Sequence, residues 1–174
     1  YCPLFVGGKT TSDLKNERFY QDSVGVNIAE KNSSFCELTG LYWAWQNGIF
    51  KNNQYVGLVH YRRYFAGKKL CLKKQHIASE SELLSLLEKY EAILPKKRNY
   101  FIESIYSHYQ HAHYVKDLNC TREIISELYP EYITSFDAIM QGRKIHIYNM
   151  FVMSSENASE YCQWLFPILF ELEK

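Results

Sequence analysis

A chain of 174 residues has the size of one ordinary domain, and its hydrophobic share of 47% and charged share of 22% are typical of a globular protein. This composition suggests neither a disordered protein nor a fibrous repeat. A formal net charge of +1 argues against a general nucleic-acid binder, because affinity for a phosphate backbone needs many uncompensated Lys and Arg side chains.

Cysteine spacing and the length of the apolar runs indicate the cellular compartment and the relation to the membrane. The five cysteines contain no C-x-x-C pair, which favours a reducing cytoplasm over a disulfide framework or a zinc knuckle. The apolar stretch Trp164–Phe170 is far shorter than the roughly 20 residues that cross a bilayer as a helix. We therefore expect a cytoplasmic protein with at most peripheral membrane association. The chain starts without Met and stops inside the helix-like run Cys162–Lys174, so we also expect truncation at both ends.

The first half of the chain predicts a loop, a helix and a buried strand. Thr10–Gln21 is polar and unpatterned, and Asp22–Ile28 continues this loop with a glycine at position 25. Phe35–Asn47 has apolar residues at helical spacing, with Ser34 as the expected cap and at least one of its two tryptophans expected in the core. Tyr55–Val59 is typical of a strand buried on both faces.

The second half alternates further helices and strands. A basic excursion or short hairpin is predicted at Lys68–Lys74, strands at Ala92–Leu94 and Ile145–Met153, and helices at Ser79–Tyr90, Ser104–Tyr114, Arg122–Leu128 and Glu131–Met140. This alternation predicts a single α/β domain over residues 1–174 with a mostly parallel sheet flanked by helices. Ligands of such sheets bind outside the carboxyl ends of the strands, where His60–Arg63 and Ser154–Ser155 are expected.

The segment His60–Phe65 carries the densest chemistry of the chain. Arginine forks bind phosphate and tyrosine rings stack on a base or sugar, so Arg62, Arg63, Tyr61 and Tyr64 are candidates for binding a diphosphate-containing ligand together with His60. If the segment is extended, His60, Arg62 and Tyr64 share one face. An ordinary strand end with surface arginines is the alternative.

Three histidines, His108, His111 and His113, lie within six positions and suggest a metal site. Their spacing completes no recognised zinc pattern, so a substrate contact or structural hydrogen bond is the preferred interpretation, with His113 and Asp117 as the pair to examine. Asn149 lies in an apolar strand and needs a hydrogen-bond partner, either a ligand hydroxyl or a backbone carbonyl. The chain has no Walker loop, G-x-G-x-x-G, G-x-S-x-G or D-x-D motif.

Several ordered blocks together resemble a bacterial family known as domain of unknown function 4422, which is found among glycosyltransferases of capsular polysaccharide, exopolysaccharide and lipopolysaccharide synthesis. The resemblance covers nearly the whole chain and rests on Tyr1–Gly7, Asp22–Ile28, Cys36–Trp45, Gly57–Phe65, Pro130–Tyr132, Tyr148–Phe151 and Tyr161–Phe166.

The resemblance implies a GT-A-like α/β fold and a transferase that uses a nucleotide-sugar co-substrate, a UDP-hexose or UDP-galactofuranose, without a tightly bound cofactor. A glycan or lipid-linked saccharide is the implied acceptor, and the inner face of the cell membrane an expected location. Ordinary GT-A enzymes hold a divalent metal with D-x-D. Here His60–Arg63 occupies the comparable strand end, so we expect cations to neutralise the diphosphate, and the sequence leaves a metal requirement open.

The expected site residues follow from this interpretation. The family has an acidic residue before Asn27, where this chain has Val26, which leaves Asp22, Glu37 and Asp117 as candidates for the general base. Asn27, His113 and Asn149 are expected to contact the sugar or acceptor. Two rival functions are a non-catalytic module that binds nucleotide or glycan, and a metal-dependent hydrolase at the three histidines.

Overall fold

The computed structural model describes residues 1–8, 19–72 and 74–174, which form two compact units. Unit 1 comprises Tyr1–Leu94 and Asn149–Cys162, and unit 2 comprises Pro95–Tyr148 and Gln163–Lys174. Each unit is assembled from separate parts of the chain, whereas the sequence predicts one domain over residues 1–174.

Short strands and helices alternate along the described residues. The strands are β1 (Leu4–Phe5), β2 (Tyr20–Gln21), β3 (Tyr55–Leu58), β4 (Ala66–Leu72), β5 (Gln75–Ile77), β6 (Ala92–Ile93), β7 (Arg98–Asn99), β8 (Lys144–Ile145) and β9 (Phe151–Ser154). The helices are α1 (Asn32–Phe35), α2 (Leu38–Gln46), α3 (Glu80–Leu87), α4 (Ile105–Ala112), α5 (Val115–Leu128), α6 (Ile133–Gln141) and α7 (Ser155–Leu172), with 3₁₀ turns at Ala29–Lys31 and Pro130–Tyr132. The α/β class is confirmed.

The central sheet of unit 1 has the order β3-β9-β6, and both of its pairings are antiparallel. The mostly parallel sheet is thus not formed by the described strands, where β1 and β2 make the parallel pair. Strands β3 and β6 do run in the same direction, as their sequence pattern suggests, but β9 returns from much later in the chain and inserts between them. Local periodicity predicts a strand and does not specify its neighbour.

The inserted strand changes which residues meet at the sheet edge. In the register, Leu58 pairs with Phe151 and Tyr55 pairs with Ser154. The carboxyl end of β3 therefore lies beside the amino end of β9. Ser154 and Ser155 are at the opposite end of the sheet from His60, and the expectation that these strand ends face one ligand is wrong.

Apolar burial fixes the sheet within unit 1. Phe151 and Val152 of β9 are buried, as are Leu41 and Trp43 of α2 and Cys162 of α7. The expectation of one core tryptophan is confirmed by Trp43, which is 7% exposed. Unit 2 has its own cluster of buried residues, formed by Ile124, Ile125 and Ile168. Burying such side chains is the main favourable term in folding.

Several helix boundaries differ from the predicted ones for local backbone reasons. Cys36 has a positive φ of 50°, so the expected helix over 35–47 is divided into α1 and α2, and Ser34 caps neither. A capping box does occur at Ser79, where α3 begins. The last predicted strand is divided too, since Tyr148 has a φ of 71° between β8 and β9.

Two further expectations concern the start of the chain and the membrane. The predicted loop Thr10–Gln21 lies mostly outside the described residues, and its last two residues form β2. The hairpin expected near Lys68–Lys74 is formed by β4 and β5, although Lys73 itself is not described. Across the described ranges, no helix is both long enough and apolar enough to cross a membrane.

Candidate functional site

Three residues that the sequence singles out separately meet at one edge of the central sheet. Asn149 donates a hydrogen bond from Nδ2 to Oε1 of Glu37 over 2.8 Å. The same carboxylate oxygen lies 3.3 Å from Nε2 of His60. These three side chains form what we call the Glu37 cluster, and all of them belong to unit 1.

The backbone brings the Glu37 cluster together from three different elements. One residue separates His60 from the end of β3, and one separates Asn149 from the start of β9, at the edge that these two antiparallel strands share. Glu37 stands immediately before α2, where the helix dipole favours a negative charge. The positive φ of Cys36 turns the chain directly before Glu37, a conformation that a non-glycine residue rarely adopts.

The Glu37 carboxylate is both oriented and accessible. Its side chain is 25% exposed and that of His60 is 18% exposed, while the His60 Nε2 atom itself is shielded from solvent. This carboxylate accepts a hydrogen bond from Asn149 at Oε1, has the His60 imidazole beside the same oxygen, and leaves part of its surface open, so it can accept a proton from a bound hydroxyl. Such a base needs to lie within hydrogen-bond reach of its substrate.

The residues after His60 form a tight turn instead of continuing as an extended strand. The Arg63 N–H donates to the His60 carbonyl at 3.2 Å, which closes a β-turn with Tyr61 and Arg62 at its centre. The condition under which His60, Arg62 and Tyr64 would share one face, an extended segment, is therefore not met.

The tip of this turn presents a cation on an aromatic ring. The Tyr61 ring is 72% exposed, and the guanidinium carbon of Arg62 lies 4.6 Å from its centroid. Within the described ranges, no carboxylate lies at ion-pair distance from Arg62, and Arg63 is also exposed. Tyr64 is partly buried and packs edge-on against Tyr1 at 5.3 Å. The turn thus offers an exposed ring and positive charge directly after the Glu37 cluster.

Asp22 has a structural position that differs from that of Glu37. It is 0% exposed, and its carboxylate accepts from the Gly7 N–H at 3.0 Å, the Gly8 N–H at 3.4 Å and the Thr39 hydroxyl at 2.5 Å. An enclosed carboxylate with these donors has no face for an acceptor hydroxyl. Asp22 thus holds the Gly7–Gly8 turn on α2, and its geometry gives no support to the expectation that it is the base.

Asn27 also uses its side chain locally. Its Nδ2 donates to the Gly25 carbonyl at 2.8 Å, and its Oδ1 accepts from the Ala29 N–H at 3.2 Å. The loop that carries it is fixed to α2, because the Trp43 indole donates to the Val24 carbonyl at 2.6 Å. For Asn27 to contact a sugar, as the sequence predicts, its side chain would have to break its hydrogen bonds to Gly25 and Ala29.

Two comparisons place the chain among known proteins. The family model described as "Domain of unknown function (DUF4422)" matches residues 1–174. The chain belongs to the DUF4422 family. It is also similar to a solved apo structure of the WbbM bifunctional glycosyltransferase, with 29% sequence identity and a TM-score of 0.80, over 99% of this chain. The chain spans 34% of the length of that protein. No protein of curated function matches the chain.

Outside the Glu37 cluster, the DUF4422 domain has a carboxylate–histidine group that the sequence patterns did not reveal. His108 and His111 direct their Nδ1 atoms to the two oxygens of Glu103, at 2.7 and 3.0 Å. These hydrogen bonds, led by that from His108, lower the pKa of Glu103. The signal in the sequence is the position of Glu103, directly before the helix that carries both histidines.

The pair expected from His113 and Asp117 does not form in the DUF4422 domain. Both side chains are exposed, and the ion pairs of the described residues do not join them. His113 packs its ring against Tyr109 at 4.9 Å, and Asp117 contributes, after burial, to raising the pKa of Tyr109. Both lie in unit 2, whereas the Glu37 cluster lies in unit 1.

The three histidines do not converge on a common point for a metal. His108 and His111 share Glu103, whereas His113 faces Tyr109. Over residues 1–8, 19–72 and 74–174, no group of three or more His, Cys, Asp or Glu side chains has an arrangement suited to holding an ion. The hydrolase interpretation of these histidines therefore has no geometric support.

Proposed function

We propose that this DUF4422 domain is a glycosyltransferase that moves a sugar from a nucleotide-sugar donor to a surface polysaccharide or lipopolysaccharide acceptor. The likeness to part of WbbM, a bifunctional glycosyltransferase, supports a transferase. The chain matches about a third of that protein, and this part could carry one of its two activities. The observation that carries the proposal is the Glu37 cluster, in which a partly exposed carboxylate accepts a hydrogen bond from Asn149 and has the His60 imidazole beside it.

Glu37 is the general base of the proposed reaction. Its carboxylate takes the proton from an acceptor hydroxyl while the hydroxyl oxygen bonds to the anomeric carbon of the donor sugar. The bond between that carbon and the diphosphate breaks, and the nucleoside diphosphate leaves with the electron pair. The hydrogen bond from Asn149 holds the carboxylate in place, so that little reorganisation is needed when the proton moves.

The turn after His60 is the proposed donor site. The leaving diphosphate gains negative charge in the transition state, and the guanidinium groups of Arg62 and Arg63 are placed to stabilise it. The exposed Tyr61 ring offers a stacking surface for the base or the sugar of a UDP-hexose or UDP-galactofuranose. In this proposal the arginines supply the positive charge that a metal bound by D-x-D supplies in ordinary GT-A enzymes.

The first experiment measures release of nucleoside diphosphate from UDP-sugars by the intact protein that carries this domain. Glu37→Gln removes the base with little change in size, and we expect turnover to fall by roughly two to four orders of magnitude. Glu30→Gln is the matched control, because Glu30 is an exposed carboxylate of the same unit, and it should retain full turnover.

Two outcomes would contradict the proposal. Equal turnover in Glu37→Gln and wild type would remove the base from the mechanism. Binding of UDP or a UDP-sugar without any turnover on long incubation would instead support the non-catalytic module. Repeating the assay with a chelator tests whether turnover requires a divalent metal ion. A site that relies on arginines should keep its turnover when divalent ions are removed.

A further inference from the structure

Two large apolar side chains stand side by side in solvent at one loop of unit 2. Phe101 is 74% exposed and Ile102 is 91% exposed, in the loop between β7 and α4. We call these two residues the apolar tip. Single exposed apolar residues are ordinary on protein surfaces, but two adjacent ones at the end of a loop suggest a surface that something apolar covers.

The apolar tip is held by specific backbone hydrogen bonds. The Phe101 N–H donates to Oδ1 of Asn99 at 3.1 Å, and the Ile102 N–H donates to the Tyr100 carbonyl at 2.6 Å. Arg143 donates from Nη1 to the Phe101 carbonyl at 3.0 Å, and its own carbonyl accepts from the Tyr100 N–H at 2.9 Å. Phe101 keeps a positive φ of 57° in this arrangement. The polar backbone groups of the tip are thus largely satisfied internally, which is what entry into an apolar medium requires.

Positive charge surrounds the base of the apolar tip. The antiparallel pair β7–β8 supports the loop, with Asn99 opposite Lys144. The pair and the residues flanking it carry five exposed cations: Lys96, Lys97, Arg98, Arg143 and Lys144. The carboxylate of the loop, Glu103, already accepts hydrogen bonds from His108 and His111. The local surface therefore combines two exposed apolar side chains with a cluster of positive charges.

We propose that the apolar tip docks this domain onto a bilayer surface rich in anionic lipid. Phe101 and Ile102 would enter the boundary between headgroups and acyl chains while the five cations contact lipid phosphates, each adding modestly to the attraction. A nucleic acid would leave the two apolar side chains without a favourable environment. A stable protein interface buries about 800 Å² on each partner, far more than two side chains offer. An anionic bilayer offers an apolar environment to the two side chains of the apolar tip and phosphate groups to the neighbouring cations.

Docking of this kind is weak and reversible, because it depends on two apolar side chains and screened charges. It is independent of the proposed transfer reaction, since it requires neither the Glu37 cluster nor the turn at Tyr61. It would bring the domain to a surface on which lipid-linked saccharides are found.

The test is sedimentation of the intact protein with vesicles of mixed phosphatidylglycerol and phosphatidylcholine, and with vesicles of phosphatidylcholine alone. We expect binding to the anionic vesicles that weakens at high salt. The double variant Phe101→Asn/Ile102→Ser should lower the partition coefficient by roughly tenfold or more. Asparagine is chosen because it tolerates the positive φ at position 101. Ile139→Ser is the matched control, since Ile139 is 49% exposed elsewhere in unit 2.

The charge contribution has its own pair of variants. Lys96→Gln/Lys97→Gln should weaken binding to anionic vesicles by roughly tenfold, whereas Lys51→Gln/Lys89→Gln, which changes two exposed lysines of unit 1, should not. The double tip variant should retain the thermal unfolding midpoint of the wild type, because both side chains are exposed.

Three results would overturn the proposal. The first is equal sedimentation of the wild type and the tip variant. The second is equal binding to neutral and anionic vesicles. The third concerns Phe101→Cys: resistance to a maleimide in the absence of vesicles, read by mass spectrometry at that position, would mean that another part of the protein or a partner covers the tip.

Discussion

Asn149 and Glu37 are joined by a 2.8 Å hydrogen bond across a separation of 112 residues. The bond connects the start of β9 to the start of α2, and His60 at the end of β3 lies against the same carboxylate oxygen. Because one oxygen atom has both neighbours, a change in Asn149 should alter the orientation of the proposed base without removing it.

Asn149→Ala should therefore lower kcat more than it changes KM for the donor. The carboxylate loses a donor that holds it in position, and such supporting groups are typically worth one to two orders of magnitude. Asn149→Asp should lower kcat more than Asn149→Ala does, since a second carboxylate would repel Glu37. Steady-state kinetics of the three proteins tests this order, and equal kcat in all of them would show that Asn149 does not position the base.

Arg62→Ala should raise KM for the nucleotide sugar and lower kcat, because the guanidinium is proposed to bind the diphosphate in both the ground state and the transition state. Arg62→Lys should restore little of the activity, since lysine lacks the planar fork that binds two phosphate oxygens. Lys51→Ala, an exposed cation of the same unit, is the control. Unchanged kinetics in Arg62→Ala would move the donor site away from the turn.

Thr39→Val should destabilise the domain without acting on the chemistry. The Thr39 hydroxyl donates to the fully buried Asp22 carboxylate, and leaving a buried polar group with one donor fewer costs about 1–3 kcal/mol. Thr121→Val removes an exposed hydroxyl that donates to the Asp117 carbonyl and should change stability by about 0.5 kcal/mol or less. Urea denaturation measures both, and similar values for the two variants would contradict the structural role of Asp22.

Glu82 should make the stability of unit 1 dependent on acidic pH. The backbone N–H of Ser79, followed by the Ser79 hydroxyl and the Lys68 N–H, lowers the pKa of Glu82 to about 2 from its usual 4.5. A lowered carboxylate pKa stabilises the fold fully above the unfolded value and loses this contribution as the pH falls through the folded value. The stability difference between the wild type and Glu82→Gln should therefore be constant above about pH 5 and shrink between pH 4.5 and about 2.

The measurement for Glu82 is urea denaturation of both proteins at several pH values through that window. Glu80→Gln, in the first turn of the same helix, is the control and should have the smaller effect. A difference between wild type and Glu82→Gln that does not change with pH would contradict the role assigned to the Ser79 and Lys68 hydrogen bonds.

Thiol reactivity should distinguish one cysteine from the other four. Cys162 is 0% exposed, and burial raises the pKa of its thiol to about 12, whereas Cys2, Cys36, Cys71 and Cys120 are exposed. Since the thiolate is the reactive form, a thiol reagent at mildly alkaline pH should modify four cysteines in the native chain and the fifth only after denaturation. Rapid modification of all five without denaturant would mean that α7 does not pack as described.

The sequence by itself determined the features that depend on neighbouring residues. Strands near Tyr55 and Ala92, burial of at least one of Trp43 and Trp45, and the concentration of chemistry after β3 all follow from local periodicity and residue type. It also carried the resemblance to the DUF4422 family, which the match over residues 1–174 confirms.

Only the tertiary structure decided which of the predicted residues belong together. From sequence, Asp22, Glu37 and Asp117 were equivalent candidates for a base. In the structure Asp22 is buried, and Glu37 is the carboxylate that Asn149 and His60 lie against. The insertion of β9 between β3 and β6 brought Asn149 to Glu37 and His60, and the hydrogen bond that closes the turn at Arg63 ended the strand. The physical reason is that local patterns specify which elements form. The order of strands in a sheet and the partner of a side chain depend on the packing of residues far apart in the chain.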